Sequence, residues 1–110
     1  MPSSVDSFLQ FLSQERRYSA LTLRSYASDL RQLSHFLVDQ YELDCPLKAT
    51  HSQLRSWVAG LMETGLAARS LNRKISCLRS FYAWAMHGSL IGEDPASRIK
   101  ALQRMCEQRQ

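Results

Sequence analysis

What this chain lacks narrows its chemistry first. Its 110 residues include only three cysteines, Cys45, Cys77 and Cys106. An odd number, spaced 32 and 29 apart, makes neither a disulfide framework nor a CxxC metal motif. His35, His51 and His87 are equally scattered and share no ligand spacing, so no metal site is expected. No apolar run approaches the roughly 20 residues that span a bilayer, because Arg, Ser, Gln or Asp interrupts every hydrophobic stretch. Met1-Pro2-Ser3-Ser4-Val5-Asp6 has no basic segment ahead of an apolar one. That excludes a visible secretory signal, and the expectation is a cytoplasmic chain with reduced thiols and no membrane partner.

Catalytic signatures are missing as well. There is no Gly-rich phosphate loop, no nucleophile elbow, no HExxH, and no pair of carboxylates set in an apolar stretch where one could stay protonated. Tyr26 and Tyr82 fall on apolar stripes, where a packed ring is the simpler reading. No active site, cofactor or small-molecule ligand is expected in this segment.

Sustained period-two alternation is also absent, and the periodicity is helical throughout. Ser3 or Ser4 caps a first helix carrying Val5, Phe8, Leu9 and Leu12 on one side. Ser19 opens a second, in which Tyr26, Leu30, Leu33 and Leu37 form a core stripe and Arg24, Ser28, Arg31 and His35 lie opposite. Asp44, Cys45 and Pro46 mark a loop, and Thr50 with Gln53 has the form of a capping box. A third helix follows, with Leu54, Trp57, Val58, Leu61 and Met62 expected inward and Gly65 placed to end it. A fourth, from about Ala67 to His87 or Gly88, turns Leu71, Ile75, Leu78, Tyr82 and Ala85 to the core and Arg69, Arg73, Ser76 and Ser80 outward. The expected fold class is all-α, an orthogonal bundle of four or five helices. Residues 1–96 are read as one domain, and residues 97–110 as a linker, the start of a connection to a further domain, or a short helix that packs on something outside this segment.

Charge is modest in total, a formal +4, but unevenly spread. Residues 1–65 hold six basic and seven acidic groups, whereas residues 66–110 hold eight and three. The fourth helix carries Arg69, Arg73, Lys74 and Arg79 with no acid among them, whereas a solvated helix face normally interleaves the two signs. Arginines at successive turns, with small hydroxyl residues between, suit a helix lying along a nucleic-acid groove. The competing reading is a helical protein-interaction module whose basic face meets an acidic partner, or which self-associates through Trp57, Trp84 and the tail.

Two strings carry a resemblance. Ser19-Ala20-Leu21-Thr22-Leu23-Arg24-Ser25-Tyr26-Ala27-Ser28-Asp29-Leu30, and the stretch from Gly65 through Arg69-Ser70-Leu71-Asn72-Arg73-Lys74-Ile75-Ser76 to Tyr82, resemble the N-terminal core-binding, SAM-like domain of the Xer-type tyrosine recombinases. Asp94-Pro95-Ala96 takes the place of that family's usual Asn-Pro-Ala. The Gly-Leu-Ala-Ala-Arg-Ser-Leu run and the short N-terminus look more like the XerC branch than the XerD branch. The family often has Pro where this chain has Ala20, and Ser or Thr where it has Ala67; residues 101–110 do not resemble the family's linker.

The resemblance implies one jaw of a C-shaped clamp, whose second and fourth helices cross the major groove of a double-stranded DNA half-site. It implies a catalytic domain outside this segment, a second, XerD-like recombinase protomer in a heterotetramer, and strand exchange that resolves chromosome dimers. Carried over by position, the DNA-facing candidates are Ser19, Thr22, Arg24, Ser25 and Arg31 on the second helix, and Arg69, Ser70, Asn72, Arg73, Lys74 and Ser76 on the fourth. Ser19 with Thr22 and Arg69 with Ser70 stand at helix starts, where open N–H groups favour phosphate. Arg73 is the first choice for a base edge.

Overall fold

A computed structural model describes residues 3–99. Its elements are α1 (Ser4–Gln14), α2 (Ala20–Tyr41), a short 3₁₀ turn (Pro46–Lys48), α3 (His51–Glu63) and α4 (Ala68–His87). There is no strand among the described residues, and the bundle is all-helical as the periodicity predicts.

The helix starts follow from local chemistry. Ser3 is the cap of α1: its Oγ accepts from the Asp6 N–H at 3.1 Å, and the Asp6 carboxylate accepts from the Ser3 N–H at 3.4 Å. Ser19 caps α2, and Thr50 with Gln53 closes the expected box at α3. Each box pairs N–H groups that the first helical turn leaves without partners. Gly65, at φ 83°, takes the left-handed turn after α3, a conformation in which a Cβ would be strained. Met62, expected inward, is 45% exposed. It lies about 80° round from Leu54 and in the last turn of α3, so it clears the packed stripe.

α2 and α4 are the pillars of the core. Leu30, Leu33 and Leu37 of the first meet Leu71, Ile75, Leu78, Phe81 and Tyr82 of the second in one cluster. Phe8 and Leu12 anchor α1 to it, with the Phe8 ring 5.3 Å from Phe81 and near perpendicular to it. Trp57, Leu54 and Val58 close it from α3. The Tyr82 hydroxyl donates to the Pro46 carbonyl at 2.7 Å, tying α4 to the loop after α2.

After α4 the chain turns back on itself. The Asp94 carboxylate accepts from the Ala96 N–H at 2.9 Å, and His51 Nδ1 lies 3.1 Å from the Pro95 carbonyl. An acceptor is all that this turn asks of position 94, so Asp serves there as Asn would. Ala96 and Ile99 are buried in the core cluster, so packing continues past residue 96. Cys106 and the rest of the expected linker lie outside the described residues; Cys45 and Cys77 carry free thiols.

Candidate nucleic-acid interface

The outward faces of α2 and α4 carry the cations that the sequence marks. Arg24, Arg31 and His35 are exposed on α2; Arg69, Arg73, Ser76 and Arg79 are exposed on α4. Ser25, Ser70 and Asn72 are half-buried on the same two helices. From Ala20 to Val38 the sole acid is Asp29, which is 1% exposed, and α4 has none. Between Ala20 and Val38 the exposed charges of α2 are thus all basic, as are those of α4, while Asp39 is an exposed acid in the last turn of α2.

Ser19 and Thr22 are occupied with each other. Ser19 Oγ accepts from the Thr22 N–H at 3.1 Å and donates to Thr22 Oγ1 at 2.9 Å. At α4 the cap is Ala67, which offers no side-chain acceptor. The N–H groups of the first α4 turn, beside Arg69 and Ser70, therefore remain available to an anion.

Lys74 is the site residue that the structure moves elsewhere. It is 5% exposed, and its Nζ donates to Asp29 Oδ1 at 2.6 Å and to Gln32 Oε1 at 2.8 Å. On a helix, position 74 lies about 100° round from 73, which turns it from the basic ridge into the seam with α2. It serves the fold and presents no charge to solvent.

Arg73 meets the same carboxylate from the rim. Its Nε donates to Asp29 Oδ2 at 3.1 Å and its Nη2 to Oδ1 at 2.8 Å, while the side chain stays 43% exposed. The hydrogen bonds it donates to Asp29 hold the Arg73 guanidinium above its ordinary pKa, against the smaller opposing effect of burial. α4 carries no acid, as its sequence shows, but one carboxylate from α2, Asp29, pairs with two of its bases. Residues 29 and 73 are far apart in sequence and on different helices, so charge counting along a single helix misses the pairing. No buried side-chain polar atom among the described residues lacks a partner, so the buried polar groups of the seam are all hydrogen-bonded.

Trp57, offered above as a self-association residue, is 5% exposed and belongs to the core. Trp84 is half-buried, its ring 5.9 Å from Phe81. No group of three or more His, Cys, Asp and Glu among the described residues could hold a metal ion. No described helix is long and apolar enough to cross a membrane.

These observations define a class, a helical bundle with a cationic ridge on two packed helices. The model of the family described as phage integrase, N-terminal SAM-like domain, matches residues 5–88. The chain belongs to that family. It is 39% identical over 108 residues to the tyrosine recombinase XerC of Xanthomonas axonopodis pv. citri, a match covering 90% of this chain and 35% of that protein. XerC of Mycobacterium bovis (strain BCG / Pasteur 1173P2) is 38% identical over 101 residues, covering 91% and 33%. XerC of Mycobacterium sp. (strain KMS) is 35% identical over 100 residues, covering 91% and 33%. The chain spans about a third of the length of the curated relatives it matches. No solved structure matches it.

Proposed function

We propose that this chain is the DNA-binding jaw of a XerC-like tyrosine recombinase, gripping one half-site of a recombination sequence in double-stranded DNA. The observation that carries the reading is the ridge itself. Arg24 and Arg31 on α2 and Arg69 and Arg73 on α4 reach solvent, while Asp29, the one acid from Ala20 to Val38, is buried. Two packed helices with such a ridge can lie across a major groove, with Arg69, Ser70 and the uncapped start of α4 on phosphate and Arg73 on a base edge. Ser19 and Thr22 contribute by holding the start of α2, and Arg24, Ser25, Arg31, Asn72 and Ser76 flank the groove.

Strand exchange needs chemistry that these residues do not assemble. In this reading a separate catalytic domain supplies it, in line with a match that covers about a third of each relative. The same reading places the protein in the bacterial cytoplasm with a second, XerD-like protomer, resolving chromosome dimers. The test is retention of a half-site duplex by the 110-residue chain across a salt series. Phosphate contacts make affinity fall linearly with salt on logarithmic axes, and base contacts separate the half-site from a scrambled duplex.

A further inference from the structure

Asp29 has more cations than its charge requires. Lys74, buried at 5% exposure and 2.6 Å away, already neutralises the carboxylate and joins α2 to α4. Arg73 is a second partner at the half-exposed rim, where an ion pair adds little to stability and fixing a long side chain costs rotamer freedom. Stability alone does not account for it.

The geometry of the contact supplies a purpose. A guanidinium has a side-on edge, made by Nε and one terminal nitrogen, and an end-on edge made by the two terminal nitrogens. Asp29 takes the side-on edge with both oxygens, at 3.1 Å and 2.8 Å. Among the described residues Nη1 makes no hydrogen bond, so the end-on edge is left over. That edge belongs to a side chain 43% exposed beside Arg69 and Ser76 on the outward ridge of α4. The carboxylate is itself held: Oδ1 also accepts from Lys74, whose Nζ is steadied by Gln32 Oε1 at 2.8 Å. Gln32 in turn reaches Ser28 Oγ at 3.4 Å. The chain of contacts runs Gln32, Lys74, Asp29, Arg73, from a buried seam to an exposed donor pair.

We infer that Asp29 is a positioning residue for sequence reading: from the buried seam it presents the end-on edge of Arg73 as a pre-aimed, two-donor fork for the base edge of one DNA position, most naturally the O6 and N7 of a guanine. The inference rests on the DNA-binding reading above. A fork held in its bound geometry pays little ordering cost on binding, and its planar donors match two acceptors on one base in a way that a lysine cannot. Asp29 itself touches no DNA.

The experiment compares two duplexes, a half-site selected from a random pool by the unaltered chain and a scrambled version of it. Asp29→Asn removes a negative charge, so binding to the scrambled duplex holds or strengthens. Discrimination between the two duplexes falls by about ten-fold or more, to the level of Arg73→Ala, and combining the two substitutions produces no further fall. Because Asp29→Asn leaves Lys74 buried without a carboxylate, the pair Asp29→Asn with Lys74→Met is measured beside it, removing both buried charges together. The same loss of discrimination is expected there. A folded variant of either kind that keeps full discrimination, or that loses affinity for both duplexes in parallel, overturns the positioning role and leaves the DNA reading intact. Failure of the unaltered chain to prefer any duplex overturns the DNA reading and this inference with it.

Discussion

Lys74 Nζ lies 2.6 Å from Asp29 Oδ1, with both side chains almost wholly shielded from water. Removing one partner from a buried pair leaves the other charge poorly compensated, at a typical cost of about 3–5 kcal/mol. Lys74→Ala is expected near the lower end, about 3 kcal/mol, because Arg73 still faces Asp29. Urea denaturation measures it. A loss under about 1 kcal/mol would show that the pair carries little of the α2 to α4 seam.

Tyr82 is wholly buried and its hydroxyl meets the Pro46 carbonyl at 2.7 Å. Tyr82→Phe keeps the ring and strands that carbonyl, so stability is expected to drop by about 1–2 kcal/mol. Half-site affinity at saturating folding should not change, since the bond lies in the core and away from the ridge. Denaturation and DNA titration of the same sample check both halves of the statement.

Burial pushes the Cys77 thiol above its ordinary value of 9.0, with Asp29 adding in the same direction. Burial also raises the Tyr82 hydroxyl from 10.0. The folded chain keeps these protons at a pH where the unfolded chain releases them. Their contribution is therefore complete below about pH 9 and is lost progressively as pH rises beyond it. Cys77→Ala is expected to flatten the decline in stability between roughly pH 9 and 10. The same burial keeps Cys77 from alkylation in the native state, read by mass spectrometry after a short iodoacetamide pulse.

Much of this fold was legible because three of the helices announce their starts with a capping side chain and all four carry an inward stripe. Ser19, Thr50 with Gln53, and Gly65 sit where backbone groups need them, and Tyr26, Leu30, Leu33 and Leu37 repeat at helical spacing. Family membership was legible in the α4 string. The state of the charges was not. Lys74 and Arg73 are adjacent in sequence and chemically alike, yet one is buried at 5% and the other is half-exposed. The difference is the rotation of one residue relative to α2, a tertiary fact. Asp29 appeared in sequence only as part of a motif, and its sharing between two α4 bases depends on which helix faces lie together.

Ser19 stands among the expected phosphate contacts, and the structure gives it a cap. Ser19→Ala should therefore cost about 1 kcal/mol of stability, the usual worth of an N-cap. Its effect on half-site affinity should be smaller than that of Arg69→Ala, which removes an exposed charge beside the uncapped start of α4. Parallel titrations of the two variants at one salt concentration rank them.

The most direct measurement is the salt dependence of duplex binding by the unaltered chain, repeated with Arg73→Ala. The half-site is expected to be bound more tightly than its scrambled counterpart, with affinity falling steeply as salt rises. Arg73→Ala is expected to weaken half-site binding by about 1–3 kcal/mol while scrambled binding changes much less. No binding at low salt, or an Arg73→Ala loss equal on both duplexes, would contradict this reading.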